Sequence, residues 1–167
     1  MASIMTRKTK DGTEMYTARV RIKGYPQQTA TFTRKTDAKL WQVKTKASIR
    51  DGKYFSQAEA KKHTLADLVN RYVQTVLGSK SNKVQVQYAQ QLRKWCSMIG
   101  KFTLAEITPA LISECRDKLA NEVTTRGRLR SLASVNRYIA ALSSAYSVAV
   151  REWQWVDENP VVKLSKL

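Results

Sequence analysis

Between Leu132 and Trp153 the large apolar residues recur at alternating steps of three and four: Leu132, Val135, Ile139, Leu142, Tyr146, Ala149, Trp153. Six consecutive intervals of this kind predict a long helix with a single apolar stripe. Such a stripe has to be buried against other helices, so this segment commits its part of the chain to a bundle.

The preceding segments supply the partners. Thr64 with Asp67 three residues on forms a capping-box pattern ahead of Leu65, Leu68, Val69, Tyr72, Val73 and Val76, and Gly78 ends that run. Ser81 or Asn82 opens a second helix with Val84, Tyr88, Leu92, Trp95 and Ile99 inward, stopped by Gly100. Thr108-Pro109 opens a third, with Ile112, Cys115 and Leu119 on its stripe, because proline suits the first helical position. The fourth is the Leu132 to Trp153 helix.

Toward the N-terminus the period changes from helical to two. Tyr16, Ala18, Val20 and Ile22 alternate with Thr17, Arg19, Arg21 and Lys23, which predicts a strand with one core face and one cationic face. Ser3 to Arg7 is expected to pair with it across Lys10, Asp11 and Gly12. Gly24, Tyr25 and Pro26 turn the chain into a third strand, where Ala30 and Phe32 point inward and Thr29 and Thr31 outward. A three-stranded meander needs a cover, and a helix capped by Thr36 and Asp37, with Leu40, Val43 and Ala47 facing the sheet beside Trp41, is the available one; Gly52 ends it. The fold class is therefore α+β: a small three-stranded antiparallel sheet with one helix, followed by a four-helix bundle. The expected boundaries are a sheet domain at 1–55, a linker at 56–63, where KYFSQAEAKKH shows no clean period, and a helical domain at 64–160.

The chain has 167 residues and a formal net charge of +17. Basic and acidic side chains number 15 and 5 in residues 1–63 and 15 and 8 in residues 64–167, so both parts are basic. No apolar run approaches the roughly 18 residues that span a bilayer, no signal-peptide core is present, and no basic helix with a bulky lipid-facing side stands out. A location in the cytoplasm, at the nucleoid, and a nucleic-acid partner are expected. A membrane or a small-molecule substrate is not.

On the sheet, Arg19, Arg21 and Lys23 with Thr29 and Thr31 form the candidate contact surface. A two- or three-stranded ribbon fits a major groove about 12 Å wide, where arginine bonds guanine and threonine reaches phosphates or base edges. The alternative is a solvated sheet face. In the bundle, Gln85, Gln87, Gln91 and Lys94 lie off the apolar stripe, and the loop 124–131 delivers Arg126, Arg128 and Arg130 to the start of the fourth helix, continued by Ser134, Asn136 and Arg137. A helix N-terminus already favours phosphate; the alternative is a flexible loop with capping serines.

Enzyme chemistry finds little footing. With His63 as the one histidine, expected to be a linker residue, there is no triad, no Gly-rich phosphate loop and no metal site, and no cofactor is implied. Cys96 and Cys115 are expected as small, unpaired core residues.

The stretch KFTLAEITPALISECRDKL, followed by SLASVNRYIAALSSAYSVAVREWQWVDENPV, resembles the core-binding domain of phage-type tyrosine recombinases, or integrases. The shared features are Leu104, Ile107, Thr108 and Pro109 at one helix entry; Ser131, Val135, Asn136, Arg137, Ile139, Ala140, Ala141 and Leu142 in the next helix; and Trp153, Trp155, Asn159 and Pro160 at its exit. Residues 1–55 are similar to the arm-type DNA-binding domain of the same integrases, on the architecture, the Arg19-Val20-Arg21 strand and the TFTRKTDA helix entry. The resemblance implies a SAM-like core-binding bundle whose second and fourth helices face DNA, and a sheet that enters a major groove at arm sites. It further implies double-stranded attachment-site DNA as partner, with other integrase protomers and host DNA-bending proteins as further candidates. Recombinases of this kind carry their catalytic arginines, histidines and tyrosine nucleophile after the Asn-Pro segment, so 161–167 is expected to be the stub of a linker toward a catalytic domain absent from this chain. The chain is then a DNA-binding portion of an integrase that does not itself cleave. Two alternatives stand beside it: a short regulator that competes for sites or joins integrase complexes, and an RNA-binding module.

Overall fold

Strand propensity and two glycine turns build the N-terminal sheet. A computed structural model describes residues 2–125 and 127–167 and divides the chain into two units, Met1–Tyr54 and Phe55–Leu167. In the first, β1 (Ala2–Lys8), β2 (Glu14–Val20) and β3 (Gln28–Phe32) form an antiparallel sheet in that order. Gly12 takes the left-handed φ of 79° that closes the first turn, with Gly12 N–H bonded to Thr9 O at 3.0 Å. The second turn joins Tyr25 N–H to Ile22 O at 3.1 Å. Ala18 lies opposite Ile4 and Ala30, and Arg19 opposite Ser3 and Thr29, so the period-two reading of the faces is observed: Ala18 and Val20 are buried, Arg19 is exposed.

The covering helix α1 (Lys35–Arg50) is rotated from the expected orientation. Leu40, Val43 and Ala47 point to solvent, and the sheet is met instead by Ala38, Thr45 and Ile49, all buried, with Trp41 set 5.8 Å from Phe32. The physical reason lies in the sheet. Its inner face carries Ala18 and Ala30 on the central row and Phe32 on the next, where Trp41 meets it, while Gln42 Nε2 donates to Ser3 O at 2.6 Å and Arg19 O at 3.1 Å. The cap also shifts: Arg34 precedes the first turn without a side-chain bond, and Thr36 and Asp37 lie inside the helix. At the other end Gly52, φ 73°, completes a closing motif in which Lys53 N–H bonds Ser48 O and Gly52 N–H bonds Ile49 O.

The second unit is helical: α2 (Tyr54–Lys62), α3 (Leu65–Thr75), α4 (Asn82–Ile99), α5 (Pro109–Ala120) and α6 (Leu132–Arg151), with short 3-10 turns at Leu77–Ser79 and Pro160–Lys163. Residues 56–62 of the expected linker are thus helical. Their periodicity is weak because their buried positions are the small Ser56 and Ala60. The four expected helices are present, and the capping box is formed in full: Thr64 N–H to Asp67 Oδ2 at 2.8 Å, Asp67 N–H to Thr64 Oγ1 at 3.2 Å. Thr108 accepts from Leu111 N–H at 3.2 Å with Pro109 following.

Tyr72, Leu92, Trp95, Ile112, Leu142 and Tyr146 are among the fully buried side chains of the core. Trp95 donates its indole N–H to Tyr138 O at 2.9 Å, which answers the polar cost of burying it. The α6 stripe begins one step later than expected, since Leu132 at the first helical position is 55% exposed. Trp153 is half-buried, and Trp155 is the more enclosed of the pair. Asn159 holds the exit: its Nδ2 donates to Ser143 O at 2.9 Å and Ser147 Oγ at 3.0 Å, and its Oδ1 accepts from Val161 N–H. Both cysteines are free thiols; burial raises the pKa of each. Among the described residues no helix is long and apolar enough to cross a membrane.

Candidate nucleic-acid interface

The strand register gives the outer sheet face a different set of cations from the expected Arg19, Arg21 and Lys23. Arg7 pairs with Met15, Met5 with Thr17 and Ser3 with Arg19, so β1 and β2 together present Arg7 and Arg19 with Thr17, Thr29 and Thr31 on one side. None of these rows carries a carboxylate. Thr17 and Thr31 hydroxyls lie 3.2 Å apart, and with Arg7, Lys8 and Lys10 they border a hollow of about 400 Å³. The pairing of Ser3 to Arg7 across the Gly12 turn is as expected, but the side on which Arg7 lies follows from the register, Arg7 opposite Met15, which composition does not reveal. Arg21 and Lys23 lie beyond β2, which ends at Val20, and are exposed on the following turn.

The bundle residues divide into those that project and those held by the protein. Gln85 is drawn back to close the turn before α4, donating to Lys80 O at 2.7 Å. Gln91 is half-buried, its Oε1 without a partner among the described residues. Lys94 and Arg130 both pair with Glu122, at 2.6 and 3.1 Å, and Arg130 also donates to Tyr138 Oη at 3.1 Å while lying over its ring. The hydrogen bond from Lys94, reinforced by Arg130, holds the Glu122 carboxyl below its ordinary range. Ser134 N–H is bonded by the capping Ser131 Oγ. Asn136 forms two bonds with Leu167, Nδ2 to O at 2.8 Å and Oδ1 from N–H at 3.2 Å, so 161–167 packs back along α6 and does not trail away.

What projects is a different set. Arg128 and Arg137 are exposed, as are Lys83, Gln87 and Arg93 on the side of α4 away from its stripe. Lys83 and Arg93 could have been read from the helical period. Arg126 lies outside the described residues. On either side of it Val123 and Leu129 form an antiparallel bridge, and Thr124 N–H and Oγ1 both bond Arg128 O at 2.8 Å. From Val123 to Arg151 the sequence contains no Asp or Glu.

At the far end of α6, Arg71 lies 4.5 and 4.8 Å over the rings of Trp153 and Trp155, and His63 stacks on Trp155 at 3.7 Å with Nε2 3.2 Å from Glu59 Oε2. His63, expected in a linker, is part of this latch over the chain exit. Among the described residues no group of three or more His, Cys, Asp or Glu side chains is placed to hold a metal ion.

A basic sheet-plus-helix unit followed by a capped helical bundle with a tryptophan-latched exit defines an α+β protein of two cationic units. The family model for the phage integrase N-terminal domain matches residues 61–167, and the chain belongs to that family. No curated protein and no solved structure matches the chain.

Proposed function

We propose that the chain is the DNA-recognising part of a phage integrase, binding double-stranded attachment-site DNA without cleaving it. The observation that carries this reading is the family match over residues 61–167, on a bundle whose exposed Arg128 and Arg137 have no acidic partner among the described residues. The bundle, residues 64–160, acts as the core-binding domain, with Lys83, Gln87 and Arg93 of α4 and Arg137 of α6 toward the duplex. Residues 1–55 act as the arm-type domain, with Arg7, Arg19, Thr17, Thr29 and Thr31 entering a major groove.

Cutting is assigned to residues other than these. Tyr72 and Tyr146 are buried in the core and the lone histidine is stacked on Trp155, so these three side chains serve packing. A cytoplasmic, nucleoid-associated location and contacts with other integrase protomers and DNA-bending proteins follow from the same reading.

The test is a competition titration with a duplex pool against structured RNA of equal length. Duplex DNA retained in the presence of excess RNA supports the reading; preferential retention of RNA overturns it.

A further inference from the structure

The hairpin between α5 and α6 exposes apolar surface as well as charge. Val123 and Leu129 are 63% and 64% exposed, and as directly opposed residues of an antiparallel bridge they stand on the same face. The ribbon is held in shape. Thr124 bonds Arg128 O twice, Gly127 N–H returns to Thr124 O at 2.9 Å, and the Arg130–Glu122 pair fixes its base. Two large aliphatic side chains on a braced, projecting ribbon form a contact edge.

The surroundings select the occupant. Arg128 is exposed beside Leu129, and the sequence from Val123 onward is free of carboxylates through Arg151. A second copy would bring its own charge of +17 against this edge. A polyanion with apolar points on its surface fits both features, and in a DNA major groove those points are the thymine C5 methyl groups. We propose that Val123 and Leu129 are specificity residues that read thymine methyls, with Arg128 on the adjoining backbone. This rests on the DNA-binding reading above and adds to it a base preference that phosphate contacts do not confer.

The experiment uses the full chain and a duplex recovered from a random-sequence pool by selection on it. Each thymine is replaced in turn by deoxyuridine, which removes only the methyl. At one or more positions the wild-type affinity should fall about fourfold, the worth of one buried methyl group. The variant Val123→Ser/Leu129→Ser should be indifferent to the same replacement while keeping the wild-type salt dependence. Insensitivity of the wild type at every thymine overturns the proposal without recourse to any variant, as does equal sensitivity in wild type and variant. So does the loss, in the variant, of a self-association that the wild type shows in sedimentation. If no duplex is recovered at all, the DNA-binding reading falls, and this proposal with it.

Discussion

Arg130 donates to Glu122 across 3.1 Å, closing the base of the hairpin that leads into α6. The same carboxylate takes Lys94 of α4 at 2.6 Å, so one acid restrains two cations that would otherwise extend outward. Glu122→Gln should release both. Affinity for non-specific duplex DNA should rise, and thermal stability should fall by about 1 kcal/mol or less, the worth of a partly exposed pair. A filter-binding titration with a parallel thermal melt checks both; unchanged DNA affinity would show that Lys94 and Arg130 stay in place without the carboxylate.

The sheet face separates binding from folding. Arg7→Ala and Arg19→Ala remove exposed side chains on the outer rows, and each should weaken DNA binding and reduce the magnitude of the salt slope by about 1 while leaving the melting temperature in place. Ala18→Arg puts a charge at a fully buried inner position and should unfold the first unit. Amide exchange resolves the two outcomes.

At the exit of α6 the two tryptophans should differ. Trp155 is enclosed between His63 and Arg71, so Trp155→Ala should cost about 3–5 kcal/mol, while the half-buried Trp153→Ala should cost less. Urea denaturation of both variants measures the gap, and a larger cost at Trp153 would reverse the assignment.

Carboxylates bonded in the folded state fix the acid limb. Backbone and hydroxyl bonds from Thr64 hold Asp67 below its ordinary 3.8, and Lys94 and Arg130 hold Glu122 below its ordinary 4.5. Folded pKa values lower than unfolded ones mean that the unfolded chain binds protons first as the pH falls. Stability contributed by these groups is therefore complete above about pH 5 and drains as the pH falls through their lowered values. Melting temperatures should be flat from neutrality to that point and decline below it, with Asp67→Asn showing a shallower decline.

Local signals carried much of this fold and less of its surface. The α6 stripe, the Thr64–Asp67 box, the Thr108-Pro109 entry and the alternation around Ala18 are written in neighbouring residues, and each is found where its chemistry requires it. The orientation of α1 was not legible, because Leu40, Val43 and Ala47 form the better apolar stripe on paper, and the side that faces the sheet is set by long-range partners, Phe32 for Trp41 and the Ser3 and Arg19 carbonyls for Gln42. α2 was hidden by small buried residues. The candidate site was legible in its residue types more than in its membership. Which cations project depends on long-range partners such as Glu122 for Lys94, Tyr138 for Arg130 and Leu167 for Asn136.

Two cationic surfaces that engage the phosphates of a double helix make duplex binding by the intact chain depend steeply on salt. The log of the affinity should fall linearly with the log of the salt concentration, at about −0.9 per phosphate neutralised, and steeply enough to count several phosphates. Affinity that stays level from low to moderate salt would contradict this engagement.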